Sequence, residues 1–236
     1  MYFGLTVIAI WAILMAAWLI HPNAMADVYD FLIVRMTKVW YKAVLERCKG
    51  GDRVLDVGVG TGTALMKNKD LVLQKRLIVV GIDYEAAYIK KAAEAISAEG
   101  LAELCKVHCK SIYDPQLRQV FTGAAKFDCA YFSGSLTLMP DPSAALKCAA
   151  TMLTDDGVIY VTQTFQNQSS PLAERVKPLL RRFTSVDFGR VTYYKEVANI
   201  ARKAGMSIIE DGPIPGSINS ASQTARLLVL KPGKSN

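Results

Sequence analysis

Asp56 stands at the end of a short apolar run, Val54-Leu55-Asp56-Val57, and is followed by Gly58, Gly60 and Gly62 at alternate positions. A carboxylate there can hold a cationic or amino-bearing ligand, directly or through water, and would repel a pyrophosphate. The glycines tolerate positive φ and carry no Cβ, so a ligand can lie against main chain where a strand gives way to a helix with unpaired N–H groups. The bland alternative is a tight strand-to-helix turn with no ligand. A second carboxylate, Asp83, closes another apolar run, Leu-Ile-Val-Val-Gly-Ile-Asp at residues 77–83. At the carboxyl end of a strand it can accept two hydrogen bonds from a ribose diol, or be no more than a solvated strand-end acid.

Dinucleotide-binding folds also place a glycine turn after their first strand, but G-x-G-x-x-G would need glycine at 63, and the chain has Thr63. The Asp-x-Gly-x-Gly-x-Gly spacing of residues 56–62, Asp83, and the segment Ser133-Gly134-Ser135-Leu136-Thr137-Leu138-Met139-Pro140-Asp141-Pro142 together resemble the class I S-adenosylmethionine-dependent methyltransferases, in the branch acting on small molecules and lipids. The resemblance covers about residues 27–231. It implies an α/β fold: a seven-stranded Rossmann-like sheet, mostly parallel with a final antiparallel strand, and helices on both faces. It also implies S-adenosyl-L-methionine as the cofactor, with Asp56, Gly58, Gly60, Gly62, Asp83, Tyr84, Ser111, Ile112 and Ser133 as the binding set. The family often has an aspartate where this chain has Ser111, with Asp114 three residues later. Ile112 could then cover the adenine ring, and Ser111 or the Ile112 main chain could bond its amine. Tyr29 and Tyr41, ahead of the first strand, are candidate contacts or ordinary core.

Methyl transfer asks mainly for an acceptor lone pair held in line with an activated methyl. An acceptor O–H or S–H would also have to lose a proton, and no convincing base is present. His21 falls beside an apolar run and His108 in an exposed strand, so no catalytic residue is assigned. The resemblance implies an amphipathic or lipid-like acceptor such as a lipid amine, quinone, phenol or thiol. Two other readings stand beside it: a catalytically silent scaffold that binds a partner, and a protein or RNA methylase. The Asp-Pro-Pro-Tyr motif used on exocyclic base amines is absent, and the basic residues form no dense run, so no nucleic-acid partner is expected.

Periodicity and turn residues place the elements that must hold these groups. A helix is expected over 27–49, stopped by Gly50-Gly51, and a first crossover helix over 63–69. A helix over 86–98 follows the second strand. Further strands are expected at 104–109, 127–132 and 158–162, the last after an Asp155-Asp156-Gly157 turn, then at 206–210 and 225–230. Leu136, Leu138 and Met139 are expected to pack, Cys105 and Cys109 to be buried together on one face, and Gly134 to allow close approach of a ligand. Residues 165–204 are long for one crossover and carry Arg175, Lys177, Arg181, Arg182, Arg190 and Lys195. They read as an acceptor-recognition insertion or as a solvated basic face, with Phe183, Phe188, Tyr193 and Tyr194 as pocket or packing residues.

Residues 3–20 contain no charge, and such a run is about as long as the roughly 20 residues a bilayer core requires of a helix. A cleaved signal peptide is the rival, because Ala24-Met25-Ala26 has a small-x-small form, but no basic residue precedes the run and it exceeds a signal core. A helix lying in the interface would be one-sided, and this run is apolar all round. The expected division is an anchor over 1–22, a linking helix over 23–50 and the catalytic domain over 51–236. Arg35 and Lys38 after the run favour a cytosolic body at a membrane. The 236 residues, 51% apolar, suit one sizeable core; 28 Lys and Arg against 21 Asp and Glu, a net +7, weakly favour an anionic surface. Five cysteines without a C-x-x-C pair read as reduced thiols, and no metal site is expected.

Overall fold

The computed structural model describes residues 24–117, 126–168 and 191–233. The apolar run at 3–20, His21, and Arg175 to Arg190 of the basic segment with Phe183 and Phe188 lie outside the described residues. Among the described residues no helix is long and apolar enough to cross a membrane.

The described residues form a seven-stranded sheet around which everything else is packed. In chain order the strands are β1 (Arg53–Val57), β2 (Ile78–Asp83), β3 (Cys105–Cys109), β4 (Phe127–Ser133), β5 (Leu153–Gln166), β6 (Met206–Pro213) and β7 (Gln223–Pro232). Their spatial order is β3-β2-β1-β4-β5-β7-β6. The first five are parallel, and β7 is antiparallel to both β5 and β6. This is the mostly parallel seven-stranded α/β sheet that the family resemblance implies. Strands β1 and β4 are neighbours although far apart in sequence, so the chain reverses its direction of winding between them. Ligands of open α/β sheets gather at such a switch point, beyond the carboxyl ends of the strands.

Alternate strand residues face opposite layers. Leu55, Val57, Ala130, Phe132, Ile159 and Val161 point to the layer of α5 (Pro142–Thr151) and α6 (Tyr194–Lys203). Val54, Val79, Cys129, Tyr131 and Tyr160 point to the layer that contains α1 (Ala24–Leu45) and α4 (Ala86–Ala98). The second half of α1 is core: Trp40, Tyr41, Val44 and Leu45 are each at most 3% exposed. It ends at Leu45, four residues before Lys49 where periodicity predicts its stop, because Glu46 and Arg47 close the last turn and Lys75 Nζ caps the carbonyls of Leu45, Glu46 and Cys48.

Several expectations are corrected. The crossover expected as one helix over 63–69 is two, α2 (Thr63–Met66) and α3 (Lys69–Lys75). Asn68 makes the break: its side-chain amide donates to Ala64 O and to Lys38 O of α1, so a residue poor at propagating a helix ties three elements together. The Asp155-Asp156-Gly157 turn lies within β5, whose Leu153 already pairs with Phe127 across a bulge. A Cβ on Gly157 would lie 2.8 Å from that of Leu153, so the tight segment accepts glycine alone. Cys105 is buried but Cys109 is exposed, because it sits at the carboxyl end of the sheet's edge strand. Leu136 is buried and Met139 packs on the core, yet Leu138 is 47% exposed, since the short 3-10 turn Leu136–Leu138 turns that one residue outward.

Candidate active site

The glycine turn leaves β1 and is pinned at once to β2: the N–H groups of Gly58 and Val59 both donate to Ile82 O. All three glycines have positive φ, yet they have different tasks. A Cβ on Gly58 would lie 2.6 Å from Ser135 Cβ, so Gly58 exists to admit the loop after β4, whose Ser135 hydroxyl donates back to Val57 O. A Cβ on Gly62 would press on Ala92 of α4 at 3.2 Å. At Gly60 no atom of the other described residues, its chain neighbours aside, lies within 4 Å of the corresponding point. Of the three, only Gly60 leaves main chain open to a ligand.

Gly60 N–H donates to Asp83 Oδ2 at 3.0 Å, and Asp83 Oδ1 accepts the Glu85 N–H at 3.0 Å. The carboxylate at the end of β2 therefore braces the turn, with one lone pair on each oxygen remaining. Tyr84 beside it is 81% exposed and lies just before α4, which begins at Ala86. Ser111 follows β3 and its Oγ accepts the Tyr113 N–H at 3.3 Å. Ile112 is 2% exposed with its side chain in the core, so main chain is what it offers a ligand. Asp114 is held by Lys110 at 2.9 Å, and that bond keeps its carboxyl below the usual range. Tyr113 donates its hydroxyl proton to Asp141 O at 2.8 Å, tying the loop after β3 to the loop after β4. Asp141 caps α5 by accepting the Ala144 N–H, with Pro142 at the first helical position. His108 is exposed.

Asp56 is 1% exposed, on the α1 side of the sheet, paired with Tyr131 of β4. Tyr41 of α1 donates its hydroxyl proton to Asp56 Oδ2 at 2.7 Å, and Tyr131 meets Tyr41 edge to face at 4.9 Å. Among the described residues, Asp56 Oδ1 is buried without a hydrogen-bond partner. Burial pushes the Asp56 carboxyl up to about 7; the Tyr41 hydrogen bond pulls it down and nearby Asp83 pushes it up. Gly134 donates its N–H to Thr162 O and lies 3.4 Å, at its would-be Cβ, from Trp40, whose indole N–H donates to Ser217 Oγ at 2.9 Å. The close neighbour that Gly134 admits is thus a side chain of α1. Among the described residues no group of three or more His, Cys, Asp or Glu is placed to hold a metal ion.

The nine residues of the expected binding set thus all lie at or beside the carboxyl ends of β1 to β4. Sequence reasoning left the Tyr41–Asp56 contact open. The one available signal is that a carboxylate within an apolar strand needs a donor; which helix supplies it depends on long-range packing.

A turn that opens main chain at Gly60, a braced acid at 83 and a buried, half-satisfied acid at 56 thus gather at the carboxyl ends of neighbouring strands of an α/β sheet. A family model described as a methyltransferase domain matches residues 48–207, and the chain belongs to that family, the class I S-adenosylmethionine-dependent methyltransferases. A phosphatidylethanolamine N-methyltransferase of Cereibacter sphaeroides is 27% identical over 131 residues, which are 56% of this chain and 60% of that one, less than two thirds of the relative's length. Among solved structures, a methyltransferase from Geobacter sulfurreducens in complex with S-adenosyl-L-homocysteine superposes with a TM-score of 0.57 at 15% identity, covering 83% of this chain and 90% of that one. The cyclase SpnF gives 0.64 at 18% identity, covering 84% and 81%. At such identities the likeness concerns the fold, which hosts more than one chemistry. The residues present fit the family's cofactor: the partnerless Asp56 Oδ1 suits its ammonium, and the open side of Gly60 admits its approach to main chain.

Proposed function

We propose that this protein is a membrane-anchored methyltransferase that moves the methyl group of S-adenosylmethionine to a small amphipathic or lipid-like acceptor. The observation that carries the cofactor half is the pairing of open main chain at Gly60 with the Asp83 brace beneath it. The cofactor supplies an electrophilic methyl on a sulfonium. The chain's own work is positional: Asp83 and the turn orient the nucleoside, and Asp56 meets positive charge.

The acceptor half draws support from apolar surface beside that turn. Met139 Cε lies 3.9 Å from the would-be Gly58 Cβ, and Leu138 is half exposed. The lipid substrate in the name of the Cereibacter relative and the uncharged run at 3–20 point the same way. In this reading residues 3–20 span the bilayer, and Arg35 and Lys38 keep the domain on the cytosolic side.

The test supplies labelled S-adenosylmethionine to the purified full chain with a membrane extract, followed by panels of lipid amines, quinones, phenols and thiols. A methylated extractable small molecule, lost with Asp83→Ala, is expected. Absence of cofactor binding, together with an Asp83→Ala variant that behaves as wild type, overturns the assignment. Cofactor binding without product across the panels favours a silent scaffold, and label in macromolecules favours a protein or RNA methylase.

A further inference from the structure

The polar groups on the α1 side of the sheet form a small buried set. Tyr41 holds Asp56, Tyr131 Oη and Thr162 Oγ1 are 2.9 Å apart, Ser133 Oγ lies buried among them, and among the described residues Asp56 Oδ1 has no partner. Strand register puts these residues on one face: Asp56 opposes Tyr131, and Ser133, two residues further along β4, opposes Thr162. A buried carboxylate without its full set of donors is costly, and this one lies two residues before Gly58, where the glycine turn begins. The titratable groups around it are Tyr41 from α1, Tyr131 from β4, Asp83 from β2 and Cys105 from β3. None of them is a cation.

We propose that Tyr41 is a positioning residue for the cofactor's ammonium: from α1 it occupies Asp56 Oδ2 and leaves Oδ1 as the acceptor that the ammonium engages, directly or through one water. The inference rests on the cofactor assignment above and adds that α1 is part of the cofactor site, because the donor that orders Asp56 comes from that helix. It follows that ligand binding and the ionisation of Asp56 are coupled. A cation next to Oδ1 favours the carboxylate, so the complex holds Asp56 ionised at pH values where the free protein leaves it largely protonated. Affinity therefore rises as pH climbs toward the free protein's value of about 7 and falls as pH drops below it. Loss of the Tyr41 hydrogen bond, which favours the carboxylate, moves that rise to higher pH.

The experiment measures calorimetric Kd of S-adenosylhomocysteine from pH 5.5 to 7.3, below the range in which the ligand's own α-amino group loses its proton. 5′-Methylthioadenosine, which lacks the amino-acid portion, is the control. For the full-length wild type the expected result is about tenfold tighter binding of S-adenosylhomocysteine at the upper end, and a flat profile for the control. Tyr41→Phe is expected to move the profile upward in pH and to weaken binding about threefold at pH 7. Asp56→Asn, which also serves if that variant does not fold, is expected to bind weakly with no pH dependence. A profile for Tyr41→Phe that is weaker by one factor at every pH marks a structural role and overturns the inference, as does a flat wild-type profile. Failure of both nucleosides to bind the wild type overturns the cofactor assignment itself.

Discussion

Three glycines two residues apart look alike in sequence, but their surroundings separate them. Gly58 has φ +80° and a serine β-carbon 2.6 Å from where its own would sit; Gly60 has φ +58° and open space. Alanine at 58 would meet both backbone strain and a clash with the loop that carries Ser135, so Gly58→Ala should cost about 3 kcal/mol in urea denaturation. Gly60→Ala meets strain alone, about 1 kcal/mol, and should leave the fold intact while weakening S-adenosylhomocysteine at least about tenfold. If Gly60→Ala bound as tightly as wild type, the ligand would not lie against that main chain. Asp83 carries a related lesson. Its position at a strand end suggests a ribose acceptor, but both its oxygens already take main-chain N–H groups, so the carboxylate that would meet a ribose also shapes the turn.

At the scale of elements, α1 joins layers that are distant in sequence. Trp40 packs at Gly134 after β4 and donates to Ser217 between β6 and β7, and Tyr41 reaches β1. Trp40→Ala removes a side chain that is 3% exposed, and a loss of about 3 to 5 kcal/mol is expected on chemical denaturation. Ser217→Ala, which removes one hydrogen bond and leaves the indole N–H without that acceptor, should cost about 1 kcal/mol; equal losses for the two would mean that packing at Gly134 contributes nothing. Local pattern made much of this architecture legible. Runs of Val, Leu and Ile between turn residues placed the strands, and the alanine-rich helix over 86–98 appears with the bounds expected of it. What stayed hidden is set by partners far along the chain. Nothing near Asn68 says that its amide bonds Lys38 O, nothing near Asp56 names Tyr41, and the exposure of Cys109 and Leu138 depends on which neighbours cover a sheet edge or a turn. The glycine turn and the strand-end acids were legible because they are local signals, but the contacts that orient those groups were not.

For the whole molecule, the direction of α1 links the proposed anchor to the site. Its C-terminal half is core next to the glycine turn, while Arg35, Lys38 and Lys42 are exposed along its outer side. The uncharged run at 3–20 precedes this helix by only a few residues, so a bilayer that holds the run also holds the mouth of the site within the length of one helix, about 33 Å for 22 residues. An acceptor that partitions into lipid would then be presented at high local concentration, and the domain would have no need to extract it from bulk water. The expected outcome is that the full chain stays with membranes through carbonate and high-salt washes, since roughly 20 uncharged residues in a bilayer do not depend on charge, whereas a chain starting at Ala24 is released. The shortened chain should keep its Kd for S-adenosylhomocysteine, because every residue of the binding set lies after it, and lose turnover only for acceptors delivered in vesicles. Release of the full chain by salt alone would replace the anchor with a surface contact through the basic side of α1. Equal turnover of vesicle-borne and micelle-dispersed acceptors by the two chains would remove any role for the run in catalysis.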